Sequence, residues 1–127
     1  MPLVTLTVRK GKSPQFKDDA LAAVHAALVA SGVPNDDKFH RVLELDAADF
    51  RYDQKYPDLS VSRSENFILI EIVLSVGRSV KIKKQILQRL LEEVSKSLKI
   101  SPEDIMAVFV ETRWENWSFA GGRFVHA

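Results

Sequence analysis

Residues 67–79 read Phe-Ile-Leu-Ile-Glu-Ile-Val-Leu-Ser-Val-Gly-Arg-Ser. From Phe67 to Ser75 nearly every position is apolar, the pattern of a central strand covered on both faces. Gly77 breaks the run, and Ser79 stands where a hydroxyl caps a helix. The helix that follows carries Ile86, Leu87, Leu90, Leu91, Val94 and Leu98 in one apolar stripe. This order of strand, glycine turn and capped helix decides the fold because it occurs twice. Residues 3–8, Leu-Val-Thr-Leu-Thr-Val, read as a strand. Gly11-Lys12-Ser13 repeats the turn, and Pro14 takes the first helical position, where proline is favoured. The first helix is expected to run to about Ser31, with Phe16, Ala20, Val24, Ala27 and Leu28 on one face and Gly32 ending it.

Past each helix comes a similar turn, Val33-Pro34-Asn35-Asp36-Asp37 and Ile100-Ser101-Pro102-Glu103-Asp104. A strand follows each turn, near residues 39–45 and 105–111. Each half is therefore strand–helix–strand, whose crossover favours a right-handed parallel unit. Two units side by side predict an α/β fold: a four-stranded, mainly parallel sheet with both helices on one face. The expected organisation is one domain over residues 1–127, with pseudo-repeats 2–46 and 67–111. Residues 47–66 form a polar excursion, with a short helical turn expected around residues 47–50. Its length makes it a candidate site wall or interface. Residues 112–127 hold both tryptophans and are expected to form a flap with a short strand or hairpin. The sheet face away from the helices would lie bare in a single chain, although residues 67–75 are apolar on both sides. Closed oligomerisation, sheet to sheet, is the expected remedy.

The bulk properties exclude several classes. A net charge of +1 gives no general attraction to nucleic acid or to an anionic membrane. The longest apolar stretch, interrupted by Glu71 and Ser75, is far too short to span a bilayer. Cysteine is absent, which removes disulfides and thiolate chemistry and fits the expected cytoplasmic location. His25, His40 and His126 lack metal-ligand spacing, and His25, inside the first helix, reads as a surface or satisfied core residue. No phosphate loop, dinucleotide fingerprint or nucleophile elbow is present. Lys81, Lys83 and Lys84 read as a solvated helix face. No cofactor and no metal are expected.

Four groups of residues carry chemistry. Removal of Met1 would leave Pro2 as a secondary amine at the start of a core strand. Such a nitrogen is fixed by the sheet, and its pKa falls with desolvation or nearby cations. An amine poised near the working pH shuttles protons efficiently, although many chains begin Met-Pro. Arg78 stands at a strand-to-helix turn, where a guanidinium and main-chain N–H groups together suit a carboxylate. Lys12 holds the matching place in the first half. Asp36 and Asp37 combine turn chemistry with a possible role in positioning water or relaying a proton. Trp117, Phe119 and Phe124, around Gly121-Gly122, suit an apolar wall for a small substrate or a flap over a neighbouring subunit.

Taken together these motifs resemble the tautomerase superfamily, in the branch containing malonate semialdehyde decarboxylase. The residues that carry the resemblance are the opening Met-Pro-Leu-Val, Val33-Pro34-x-x-Asp37, and Gly77-Arg78-Ser79 before a lysine-rich helix. Ser101-Pro102-Glu103-Asp104 and Glu111 leading to Asn116-Trp117-Ser118-Phe119 complete it. The resemblance implies a double β-α-β fold, a homotrimer, and a site built on an amino-terminal proline. It implies Pro2 as the catalytic amine, Asp37 as the carboxylate that assists it, Arg78 as the carboxylate-binding arginine, and Trp117 and Phe119 as pocket wall. One position departs: the family decarboxylase carries an arginine two residues before the place of Arg78, where this chain has Val76. Arg41, Arg51, Arg113 and Arg123 are the candidates to replace it. The leading expectation is a cofactor-independent tautomerase acting on a small 2-oxo acid, enol or unsaturated carboxylate. The alternatives are decarboxylase, dehalogenase or hydratase chemistry with a protonated proline, and a non-catalytic trimeric binding module.

Overall fold

The computed structural model describes residues 2–124. Its elements are β1 (Leu3–Arg9), α1 (Pro14–Ala30), β2 (Phe39–Leu45), β3 (Ile68–Ser75), α2 (Val80–Leu98) and β4 (Ile105–Thr112). The two helix starts are built alike. Ser13 Oγ accepts from Phe16 N at 3.0 Å, and Ser79 Oγ accepts from Ile82 N at 3.2 Å. Gly11 and Gly77, at φ 105° and 126°, take the left-handed turn that lets each strand double back into its helix.

The sheet order is β2-β1-β3-β4. β1 pairs with β2 and β3 with β4 in parallel, while β1 and β3 meet antiparallel, Leu3 opposite Val73 and Val8 opposite Ile68. The crossover rule acts within each half; the junction between halves makes the sheet mixed. That junction also puts the start of β1 at the end of β3.

Strand alternation sorts the side chains. Val4, Leu6 and Val8 of β1 and Ile68, Ile70, Ile72 and Leu74 of β3 are buried under Ala20, Val24, Ala27 and Leu28 of α1 and Ile86, Leu90 and Val94 of α2. Each of the valine, leucine and isoleucine side chains contributes roughly 1.5–3 kcal/mol. On the other face the chain supplies no helix. Phe39, Leu43, Met106 and Val110 are 41–47% exposed there, in rows with Leu3, Val73, Thr7 and Leu69. A polar row runs between them, where Arg41 Nε donates to Thr5 Oγ1 at 2.6 Å. The open face is thus largely apolar, as the sequence led one to expect.

One local expectation is corrected: among the described residues the tail forms a 3-10 turn at Trp114–Asn116 in place of a strand or hairpin. Residues 47–50 form the single short turn expected there, the N–H groups of Asp49 and Phe50 both donating to the Asp46 carbonyl. The excursion itself is well tied. Buried Asp104 accepts from both the N–H and the hydroxyl of Ser64 at 2.7 Å, and the rings of Phe50, Tyr52 and Phe67 pack together. Met1 and residues 125–127, including His126, lie outside the described residues.

Candidate active site

Pro2 is buried directly before β1. Leu3 pairs with Phe39 on one side and Val73 on the other. One step back along the same register sets Pro2 between Lys38 and Leu74. Pro2 therefore lies at the sheet end where β3 finishes, turns at Gly77 and enters α2, and where β4 finishes at Thr112 opposite Ser75.

The tight turn before β2 brings the acidic pair to this end. Asp37 N donates to the Pro34 carbonyl and Lys38 N to the Asp36 carbonyl, both at 3.0 Å. Asp37 is half-buried and next in the chain to Lys38, while Asp36 is exposed. Arg78, half-buried, donates from Nη1 to the Ser75 carbonyl at 3.2 Å, which holds its stem against the end of β3. Lys83 pairs with Glu111 at 2.7 Å. That pair makes Lys83 a tie between α2 and the end of β4 rather than a purely solvated side chain.

The aromatic tail closes over the same region. Trp117 Nε1 donates to Thr112 Oγ1, which itself donates to the Leu74 carbonyl at 3.3 Å. Trp117 meets Phe119 edge to face at 5.9 Å, and Phe119 stacks on Phe39 at 5.4 Å. The structure thus brings Pro2, Asp37, Arg78, Trp117 and Phe119 to one sheet end. Phe124 is not drawn in; it is 57% exposed. Sequence reasoning missed Phe39, Thr112 and Ser75. Phe39 had a signal, an aromatic two residues past Asp37 at the start of a strand. The other two show their place only through the β3–β4 register.

The arginines expected to replace the one absent at Val76 are dispersed. Arg41 is spent on Thr5 on the open sheet face, and Arg51 donates to the Ala48 carbonyl within the excursion. Arg123 folds over Gly121 in the tail. Arg113 alone follows directly on Thr112, and it lies 3.9 Å from Glu115.

The histidines form a separate group. His25 Nε2 bonds the Asn35 carbonyl at 2.9 Å, and its ring meets His40 at 5.6 Å. With Lys38 and apolar residues of α1 they line a recess on the outer flank of α1. Burial, then His25, then Lys38 push the His40 pKa below its ordinary value. Among the described residues no cluster of His, Asp or Glu could hold a metal ion, and no helix is long and apolar enough to cross a membrane.

A proline at a strand start, a carboxylate in the neighbouring turn and an arginine at the helix entrance are what the motif resemblance implied. The family model described as tautomerase enzyme matches residues 37–120. The chain belongs to this tautomerase family. It is 27% identical over 124 residues to the probable tautomerase YusQ of Bacillus subtilis (strain 168), covering 97% of this chain and 96% of that one. A crystal structure of malonate semialdehyde decarboxylase, studied for its decarboxylase and hydratase activities, superposes with a TM-score of 0.86. It is 27% identical over 95% of this chain and 92% of its own. A fused 4-OT wild-type symmetric trimer matches with a TM-score of 0.79 and 25% identity, over 98% of this chain and 97% of that one. The protein is a tautomerase-type enzyme with the tautomerase fold, similar to the malonate semialdehyde decarboxylase branch.

Proposed function

We propose that this tautomerase-family enzyme moves a proton between oxygen and carbon of a small 2-oxo acid or its enol, using the amino-terminal nitrogen of Pro2 once Met1 is removed. The observation that supports it is the burial of Pro2 at the sheet end shared by Asp37 and Arg78. Arg78 binds the substrate carboxylate, helped by the amino end of α2. The free amine takes the enol hydroxyl proton and returns it to the carbon, so the enzyme ends as it began. Asp37 orients the proline or a water and balances the ammonium that forms in between. Trp117, Phe119 and Phe39 exclude water, which strengthens every charge interaction inside.

The assembly follows from the bare sheet face. The exposed Phe39, Leu43, Met106 and Val110 favour burial against further copies. The symmetric trimer of the fused 4-OT relative supports a homotrimer. Such packing covers Phe39 and the tail together, which ties assembly to the completeness of the pocket. The chain is taken as one cytoplasmic domain acting on a small carboxylate.

A second reading is decarboxylation or hydration with a protonated Pro2. Arg113, one residue past Thr112, favours it by supplying a second guanidinium at the sheet end where Val76 supplies none.

The test is ketonisation of the enol of a 2-oxo acid, followed by ultraviolet absorbance, on protein shown by intact mass to lack Met1. Turnover that disappears in Pro2→Ala is expected. Equal turnover in that variant removes the proline from the mechanism.

A further inference from the structure

We infer that the hydroxyl of Ser75 holds the amino-terminal nitrogen of Pro2, making Ser75 a positioning residue for the proton transfer; this rests on the reading of Pro2 as the proton carrier. Ser75 is the last residue of β3 and only 1% exposed, and among the described residues its Oγ has no hydrogen-bond partner. Burying a hydroxyl unpaired is costly, so this one marks a place where a partner belongs.

The surrounding polar groups are already engaged. The Ser75 carbonyl accepts from Arg78, Val76 N donates to the Thr112 carbonyl at 2.8 Å, and Thr112 Oγ1 lies between Trp117 and the Leu74 carbonyl. None of them turns to the Ser75 hydroxyl.

The register says what does. β1 and β3 run antiparallel with Leu3 opposite Val73. Moving back along β1 therefore means moving forward along β3. Pro2 reaches the level of Leu74, and its nitrogen points onward to the level of Ser75. Alternation places the Ser75 side chain on the open face, the face of Leu3, Val73 and Phe39, beneath the aromatic tail. A freed Pro2 nitrogen at this point has one neighbouring hydroxyl without a bond.

The repeat supplies a contrast. With Gly77 matched to Gly11, Ser75 corresponds to Arg9 at the opposite sheet end. Arg9 fills that place, its guanidinium 4.5 Å over the Tyr52 ring and bonded to the Phe50 carbonyl. Where no amine is present the position is filled by a large side chain; where the amine lies, it carries a small hydroxyl.

A serine hydroxyl can donate to the free amine and accept from the protonated one. The bond to the cation is the stronger. Ser75 therefore steadies the ammonium formed in mid-reaction and fixes the ring for the return of the proton.

The experiment uses full-length protein lacking Met1, with the kcat–pH profile and nitrogen NMR titration of Pro2 as readouts. In Ser75→Ala the acid limb and the Pro2 titration both move down by about one pH unit, kcat falls several-fold, and KM holds. Ser75→Thr keeps the hydroxyl and restores both curves. Wild-type curves in Ser75→Ala, with Pro2→Ala still inactive, overturn the role of Ser75 and leave that of Pro2 standing. Ser75→Thr that behaves like Ser75→Ala while melting like the wild type also overturns it. Full turnover in Pro2→Ala overturns both.

Discussion

The end of the sheet where β1 begins and the end where it finishes are assembled from matching parts, and their furnishing differs at a few matched positions. Gly77-Arg78-Ser79 faces one end and Gly11-Lys12-Ser13 the other. Lys83–Glu111 and Lys17–Glu44 tie each helix to the far end of its own parallel strand in the same way. Yet Arg78 is held only through the Ser75 carbonyl, whereas Lys12 Nζ is committed to Asn66 at 2.8 Å. Pro2 corresponds to Ile68, which is fully buried with chain running on before it. The tail lays exposed aromatics over the first end. The excursion packs Phe50, Tyr52 and Phe67 into the second and leaves a polar recess of about 240 Å³. Repetition supplies the scaffold; chemistry depends on the few places where the copies diverge.

The comparison breaks most visibly at the matched pair Pro2 and Ile68. Pro2→Ala is expected to lower kcat on the order of a hundred- to ten-thousand-fold, the usual worth of a general base, with thermal stability little changed. Ile68→Val does the reverse: about 0.5–1.5 kcal/mol of stability lost and steady-state kinetics preserved. Kinetics and melting curves of both variants check it, and a Pro2→Ala enzyme within tenfold of wild type contradicts the assignment of the working end.

Arg78 and Lys12 give the next largest effect. Arg78→Ala removes a charged partner for the substrate carboxylate and lowers kcat/KM about ten- to a hundredfold, mostly through KM. Lys12→Ala loses one side-chain hydrogen bond, costs about 1 kcal/mol of stability, and leaves KM alone. Equal kinetic losses in the two variants would mean that the two turns are not functionally distinct. Asp104 tests the filled end directly. Asp104→Ala strips two acceptors from Ser64 and is expected to cost about 1–3 kcal/mol, measured by denaturant unfolding, with activity retained.

Much of this division was written in the sequence. The glycine and serine punctuation, the apolar run of β3 and the stripe of α2 are local signals, and local signals give elements. The antiparallel meeting of β1 and β3 is not local, since the crossover rule constrains strands only within a half. The proposed site draws on residues whose place in the chain shows in the sequence: Pro2, Asp37 and Arg78 each lie at an element's start or at a turn. Phe39, Thr112 and Ser75 reach it only through strand pairing. Phe124 follows two left-handed glycines, Gly121 and Gly122, and stands exposed in the single chain.

The flanks of the two helices provide the smallest and most selective contrast. On the helix-facing side of β2 stand His40, Val42 and Glu44; the matching side chains of β4 are Ala107, Phe109 and Glu111. The first flank therefore carries a titratable imidazole that the second lacks. His40 is held below its ordinary value of 6.5 by burial, then by His25 and Lys38, and Asp18 lines the same recess. Because the folded chain resists the proton, the unfolded chain takes it up first as pH falls. Stability then declines from about pH 7 down through the folded pKa and levels off below it. Asp53 carries the same sign in a lower pH window. Backbone N–H bonds from Lys55 and Tyr56 lower its pKa, so its contribution is lost only below the ordinary carboxylate range and does not overlap. Denaturant unfolding of wild type and His40→Gln at pH 7 and pH 5 separates the cases. The variant is expected to lose less stability across that interval. Parallel losses would place the acid sensitivity elsewhere on the flank, with His25 as the remaining imidazole there.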